Sequence, residues 1–272
     1  MDNFNLEVKQ GKRFQFGKNW KSFLSSINDN QIISAKLSMV KLLGDNQLAA
    51  KTFLDIGSGS GLSSLVARQM KSIVTSVDYD PDSVAATRML KEKYFPGDNS
   101  WQIEEGSVLD KKYINNLGQF DIVYSWGVLH HTGKMWEALE NIEPLVKNDG
   151  LLFIALYNDQ DYKSRFWWRV KQIYCSSAIG KYFICILFFP LFFLITLISC
   201  IKRRENIFAT YKKNRGMSVI HDWIDWLGGF PFEVAKIEDV FAFYKSKGFM
   251  LDNIKTSSGG CNEFLFIRNN SK

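Results

Sequence analysis

The chain is poor in the residues that hold metals and disulfides. Of 272 residues, four are cysteine and three histidine. The cysteines, at 175, 185, 200 and 261, form no CxxC pair and no even framework. That excludes a disulfide scaffold and a zinc site, and it suits a reducing compartment. No His, Asp and Asn set at ligand spacing accompanies the histidines, so no metal is expected. Residues 1–17 mix charges early and lack an apolar stretch, so no secretory signal is expected. There is no internal repeat and no low-complexity linker. What is present is ordinary for a globular chain: 46% hydrophobic and 23% charged residues, which excludes a disordered or collagen-like protein. The net charge of +6 fits a nucleic acid, an anionic lipid, or neither.

The pattern divides the chain into three parts. Residues 1–50 read as an N-terminal helical arm or lid, with a helical apolar spacing from Ile32 to Leu43 and a stop at Gly44. Residues 51–157 alternate strands and helices. The strands are expected at 52–56, 72–78, 101–105, 120–126 and 151–157. The rhythm resumes over 233–272, with a helix ending near Gly248 and two strands, 250–257 and 261–268, around Gly259-Gly260. Such alternation implies an α/β fold with a parallel sheet and helices on both faces. Between these parts, residues 158–232 form a basic, apolar helical insert.

The sharpest signal is Asp55-Ile56-Gly57-Ser58-Gly59-Ser60-Gly61, where a buried strand enters a glycine turn that opens a helix. Glycines admit close backbone approach, and a helix N-terminus supplies free N–H groups. A dinucleotide fingerprint would need glycine at 62, where Leu62 stands, and the Gly-Lys-Ser/Thr of a phosphate loop is absent. The D-x-G-x-G-x-G spacing resembles the first motif of the class I S-adenosylmethionine-dependent methyltransferases. The resemblance implies a Rossmann-like seven-stranded sheet of order 3-2-1-4-5-7-6 with the last strand antiparallel. It implies S-adenosyl-L-methionine as cofactor, held by Asp55, Gly57, Ser58, Gly59 and Gly61.

Asp78 ends the next strand and would take the ribose hydroxyls, with Tyr79 on the adenine face. The alternative is that Asp78 merely opens the turn and caps the following helix. Ser107 stands where the family usually has an acidic residue, so Ser107 and Val108 would border the adenine through a weaker acceptor. Ser125 and Trp126 close the fourth strand and would form the floor near the sulfonium. The ubiquinone-biosynthesis O-methyltransferases carry a histidine four residues into the following turn. That resemblance makes His131 the catalytic candidate, with helix capping or packing as the alternative. His130, His221, Trp223 and Trp226 are substrate-binding candidates, although the 221–233 aromatics could equally be core.

Residues 182–201 run for 20 positions without a charge, between Lys181 and Lys202-Arg203-Arg204, with Trp167 and Trp168 upstream. That is long enough to span a bilayer. The strands that follow must rejoin the sheet, so a single crossing is incompatible with the fold. The expectation is a helical hairpin bent at Pro190 that lies on or dips into the membrane. Packing on the domain and dimerisation are the alternatives. The charge is segregated: residues 163–215 hold eleven Lys or Arg and one Glu, so the rest of the chain is mildly acidic. This moves the reading from nucleic acid towards an anionic membrane surface. The expected function is metal-independent methyl transfer to a small or lipid-linked acceptor, at a hydroxyl oxygen. The protein would be cytoplasmic or peripheral on the inner face of the membrane. A nucleic-acid methyltransferase is disfavoured by the lack of an Asn-Pro-Pro-Tyr signature. A non-catalytic membrane module with the same fold is the other alternative.

Overall fold

The computed structural model describes residues 3–24, 27–44, 48–208 and 219–269. Seven strands form one sheet in the order β3-β2-β1-β4-β5-β7-β6. They are β1 (Thr52–Ile56), β2 (Ile73–Asp78), β3 (Trp101–Glu105), β4 (Phe120–Trp126), β5 (Val146–Tyr157), β6 (Phe249–Lys255) and β7 (Cys261–Arg268). β1 lies between β2 and β4, parallel to both, with Leu54 opposite Thr75 and Val123. β7 runs antiparallel to β5, with Tyr157 opposite Cys261. The strand order reverses between β1 and β4, which puts a crevice at the carboxyl ends of these parallel strands. The central strands are buried apolar runs, as a sheet covered on both faces requires.

The helices named in chain order are α1 (Asn3–Lys9), α2 (Gly17–Leu24), α3 (Asp29–Leu43), α4 (Leu62–Gln69), α5 (Pro81–Tyr94), α6 (Lys111–Asn116) and α7 (Met135–Ile142). They continue with α8 (Tyr162–Ser176), α9 (Ala178–Arg203), α10 (Val219–Gly228) and α11 (Ile237–Ser246). One core joins α7 and α11 to the sheet through Leu139, Tyr244 and Phe266. The other joins α3 and α4 through Met39, Leu65 and Phe53. α3 starts three residues earlier than its apolar spacing predicts, because Asn28 and Gln31 form a reciprocal capping box. It is part of the core, so the arm proper is α1 and α2.

Two elements differ from expectation. β5 starts at Val146, five residues early. The polar Lys147-Asn148-Asp149 stretch shows no alternation, yet it continues the strand to Phe120 through a register shift, with Asp149 at φ 58°. The insert is also built differently. The chain does not turn back at Pro190: α9 is one helix of 26 residues that runs through it. The hairpin turn sits at Ser177, between α8 and α9, where the backbone is extended and the Ser177 hydroxyl accepts from Gly180 N. A proline inside a helix costs about 3 kcal/mol. Packing of Ile184 and Phe188 against α8 and α10 on one side outweighs it.

Candidate active site

A cavity of about 890 Å³ opens at the carboxyl ends of β1, β2 and β4. Its first wall is the glycine turn. Gly57 has φ 77°, and a Cβ there would meet Val128 Cγ1 at 2.3 Å, so the turn needs glycine for both reasons. The Gly59 backbone lies under Trp20 of the arm, whose Nε1 would be 3.2 Å from an added Cβ. Asp55, Gly57, Ser58 and Gly59 line the cavity, whereas Gly61 caps α4 against Thr87 and stands off it. Asp55 accepts from Ser64 Oγ at 2.6 Å, and Ser64 in turn bonds Ser76 Oγ. Burial pushes the Asp55 carboxyl up to about 7.

Asp78 ties this turn to the next. Its Oδ2 accepts from Gly59 N at 2.9 Å and its Oδ1 from Asp80 N at 2.9 Å. Burial raises it to about 6. The residue that caps α5 is Asp80, which accepts from Asp82 N, while Asp78 opens the turn by accepting from Asp80 N. Asp80 also accepts from Gly17 N and so anchors the arm. Tyr79 packs edge-on against Phe4, with the Arg13 guanidinium 5.1 Å from its ring. Ser107 and Val108 border the same end, with Ser107 Oγ accepting from Leu109 N at 3.2 Å.

At the other end the structure separates residues that the sequence groups together. Trp126 lines the cavity and donates to Glu263 at 3.3 Å. Ser125, its neighbour, is fully buried and donates to Ile56 O at 2.9 Å, pinning β4 to β1 away from the cavity. Strand alternation turns the two side chains to opposite faces. His131 lines the cavity. Its Nδ1 lies 2.6 Å from Pro231 O, and a carbonyl only accepts, so Nδ1 carries the proton and Nε2 a lone pair. Burial, opposed by that bond and reinforced by Lys171 and Arg13, lowers the ring to about 3. His130 is fully buried beneath it, 4.0 Å from the Tyr157 ring and off the cavity.

α10 closes the far wall. Asp222, Asp225 and Trp226 line the cavity. Trp223 turns aside from it onto Phe189 at 5.7 Å and Phe192 at 5.8 Å, because adjacent helix positions diverge by about 100°. The side chain of His221 lies outside the described residues. Asp225 accepts from Asn19 Nδ2, and burial pushes its carboxyl up to about 7. Behind this wall Lys171 of α8 is fully buried. It donates to Trp226 O and lies over the Trp226 ring at 4.4 Å, and burial lowers it to about 7.

The arm supplies Arg13, Phe14, Phe16 and Trp20 to the cavity. Arg13 donates to His131 O at 2.9 Å and pairs with Glu7 at 2.6 Å. Nothing local in the sequence marks Arg13, Tyr157 or Lys255 as part of this cavity. Among the described residues no three His, Cys, Asp or Glu side chains converge as metal ligands.

The family described as "Methyltransferase domain" matches residues 54–152. The ubiquinone biosynthesis O-methyltransferase of Glaesserella parasuis serovar 5 (strain SH0165) is 32% identical over 139 residues, 51% of this chain and 55% of that protein. That of Pseudomonas paraeruginosa (strain DSM 24068 / PA7) is 29% identical over 144 residues, 50% and 53% of the two chains. The chain thus spans about half the length of the curated relatives it matches. Magnesium protoporphyrin IX methyltransferase from Synechocystis PCC 6803, crystallised with bound SAH, shares the fold at TM-score 0.53 and 14% identity, covering 89% of both chains. An O-methyltransferase family protein from Burkholderia thailandensis does so at 0.55 and 13%, over 87% and 56%. Residues 54–152, which carry the glycine turn, match the methyltransferase domain family, and the seven-stranded sheet has the fold of the S-adenosylmethionine-dependent methyltransferases.

Proposed function

We propose that the protein transfers a methyl group from S-adenosylmethionine to a hydroxyl oxygen of a small or lipid-linked acceptor, in the cytoplasm at the inner face of the membrane. One observation carries the reading. A single cavity joins the glycine turn and Asp78 at one end to an aromatic wall with carboxylates on α10 at the other. The residues fit the cofactor. Gly127, at φ 74° with open space where a Cβ would stand, leaves a cradle at the end of β4. Asp78 has lone pairs for a ribose diol, and Tyr79, Ser107 and Val108 border a flat base. Asp55 and the turn backbone suit a zwitterionic tail. When bound, the cofactor supplies an electrophilic methyl group.

The protein's share is then alignment and proton handling. The bare Nε2 of His131 accepts the acceptor's hydroxyl hydrogen bond and orients its oxygen. The Asp225 carboxylate stands at the same end, where burial favours its protonated product. Phe14, Phe16 and Trp226 exclude water and pack the acceptor's apolar part. Incubation with cofactor labelled in its methyl group, together with lipid and small-phenol extracts, tests this. Label should enter a lipid or small-molecule hydroxyl; label confined to nucleic acid or protein would reject it.

A further inference from the structure

α9 is long and apolar enough to cross a membrane by length and composition, at 26 residues or about 39 Å. The structure argues for another placement. The helix is held along its length by the rest of the protein. Ile184 and Phe188 are buried against α8, with Trp167 5.5 Å from Phe188. Phe189 and Phe192 meet Trp223 of α10, and Phe193 meets Phe208 at 5.7 Å. Ile207 N donates to Cys200 Sγ, so the chain folds back along α9 after Arg204. A perpendicular span would carry all these partners into hydrocarbon.

Among the described residues, none covers the opposite side. Ile179, Phe183, Ile186, Leu194, Leu197 and Ile201 follow spacings of three and four residues on one stripe, with Pro190 between them, and are 42% to 83% exposed. So large an apolar stripe marks an interaction surface. Its ends carry Lys181 and Lys202-Arg203-Arg204, and residues 162–204 contain eight Lys or Arg and no Asp or Glu. These charges select the occupant. A second copy packed two-fold on this stripe would set the basic end of one helix against the basic end of the other. An anionic bilayer pairs both ends with lipid phosphates and takes the stripe into the headgroup–acyl boundary.

We infer that α9 lies in the plane of an anionic bilayer, its outward stripe immersed and its inward stripe still on the protein. α10 is shared between this helix and the cavity: Trp223 meets α9, while Asp222, Asp225 and Trp226 line the cavity. The acceptor end therefore stands one helix diameter, about 10 Å, from the immersed helix. Resting on the methyltransferase reading, it follows that the acceptor is a membrane-soluble molecule that enters from the lipid.

The experiment is sedimentation of the full chain with phosphatidylcholine vesicles, with and without phosphatidylglycerol. Binding is expected only with phosphatidylglycerol and should be released by alkaline carbonate. The double variant Ile186→Asp, Leu194→Asp should lose it. Replacing Lys202, Arg203 and Arg204 by Gln should weaken it on the order of a hundredfold. All variants should keep S-adenosylhomocysteine binding by calorimetry, which shows that they fold. Resistance to carbonate would overturn the in-plane placement. A solution dimer dissolved by Ile186→Asp, with no vesicle binding, would assign the stripe to a second copy. Cofactor binding without vesicle binding sinks the docking alone, and vesicle binding without cofactor binding sinks the methyltransferase reading alone. For the acceptor, the double variant should lose methyl transfer to extracted lipid while keeping transfer to any soluble phenol that the native chain methylates. Equal loss of both would overturn entry from the bilayer.

Discussion

At the residue scale the acceptor end divides its work between two groups that burial shifts in opposite senses. His131 is neutral above about pH 4, since its ring is lowered to about 3. It cannot produce a pH dependence near neutrality. Asp225, pushed up to about 7, can. The rate should therefore rise with pH through a midpoint near 7. Measured as kcat at saturating cofactor, with the Asp55 and Asp78 end occupied, Asp225→Asn should lower the rate about a hundredfold and abolish the inflection, whereas His131→Ala should lower it and leave the inflection in place. A pH–rate profile of the three proteins decides this, and an inflection that survives in Asp225→Asn would reject the assignment. The same shifts bear on stability. Asp55 and Asp225 at about 7 and Asp78 at about 6 bind protons more tightly folded than unfolded. Their contribution is full below the unfolded pKa of about 4 and lost as pH rises to about 7. His131, which burial keeps neutral, opposes this gain below about pH 6.5, so the variant isolates the carboxyl: Asp225→Asn should remove part of the stability that the ligand-free protein gains between pH 7.5 and pH 5, read as the difference in melting temperature. Asp55, Gly57, Ser58 and Gly59 were legible in the sequence because a contiguous motif on one turn carries them to the cavity, and Asp78 because it ends the next strand, whereas Gly61 of the same motif stands off it. Arg13 and Asp225 were not: their partners, His131 and Asn19, are 118 and 206 positions away.

The elements were legible where period and punctuation agree. Each of the seven strands was expected, the central ones because buried parallel strands are unbroken apolar runs between turn residues, and the last pair because it brackets Gly259-Gly260. The misreadings came where tertiary contacts override local rules. Proline suggested a bend in α9, and packing against α8 and α10 kept one helix. Ser177, an ordinary polar residue, makes the turn that proline does not. The α8–α10 contact is the least readable, since its centre is a fully buried lysine. Lys171 donates to Trp226 O, and Cys175 Sγ lies 3.1 Å from Gly228 O, so α8 satisfies the carbonyls at the end of α10. Lys171→Ala would leave a cavity and an unpaired carbonyl, a loss of about 3 kcal/mol. Lys171→Met fills the volume and should lose clearly less. Urea denaturation measures both; equal losses would mean that volume does not matter at this position.

At the scale of the whole molecule, the cavity is assembled from three parts far apart in sequence. The sheet ends provide the glycine turn and Asp78, the arm provides Arg13 to Trp20, and the insert provides α10. The arm is tied to both others. Gly17 N bonds Asp80, Phe14 N donates to Phe230 O at 2.8 Å, and Asn19 bonds Asp225. A ligand that fills the cavity therefore cannot stabilise one part alone. At about a hundred times its dissociation constant it adds about 2.7 kcal/mol to the folded state. That stabilisation should appear as slowed hydrogen exchange in all three parts together. Adding S-adenosylhomocysteine should protect the turn at 57–61, the arm at 13–24 and α10, while the outward stripe of α9 stays as it was. Protection limited to the turn would mean that the arm and α10 move independently of the cofactor end. The acceptor wall would then be set by the acceptor and not by the fold.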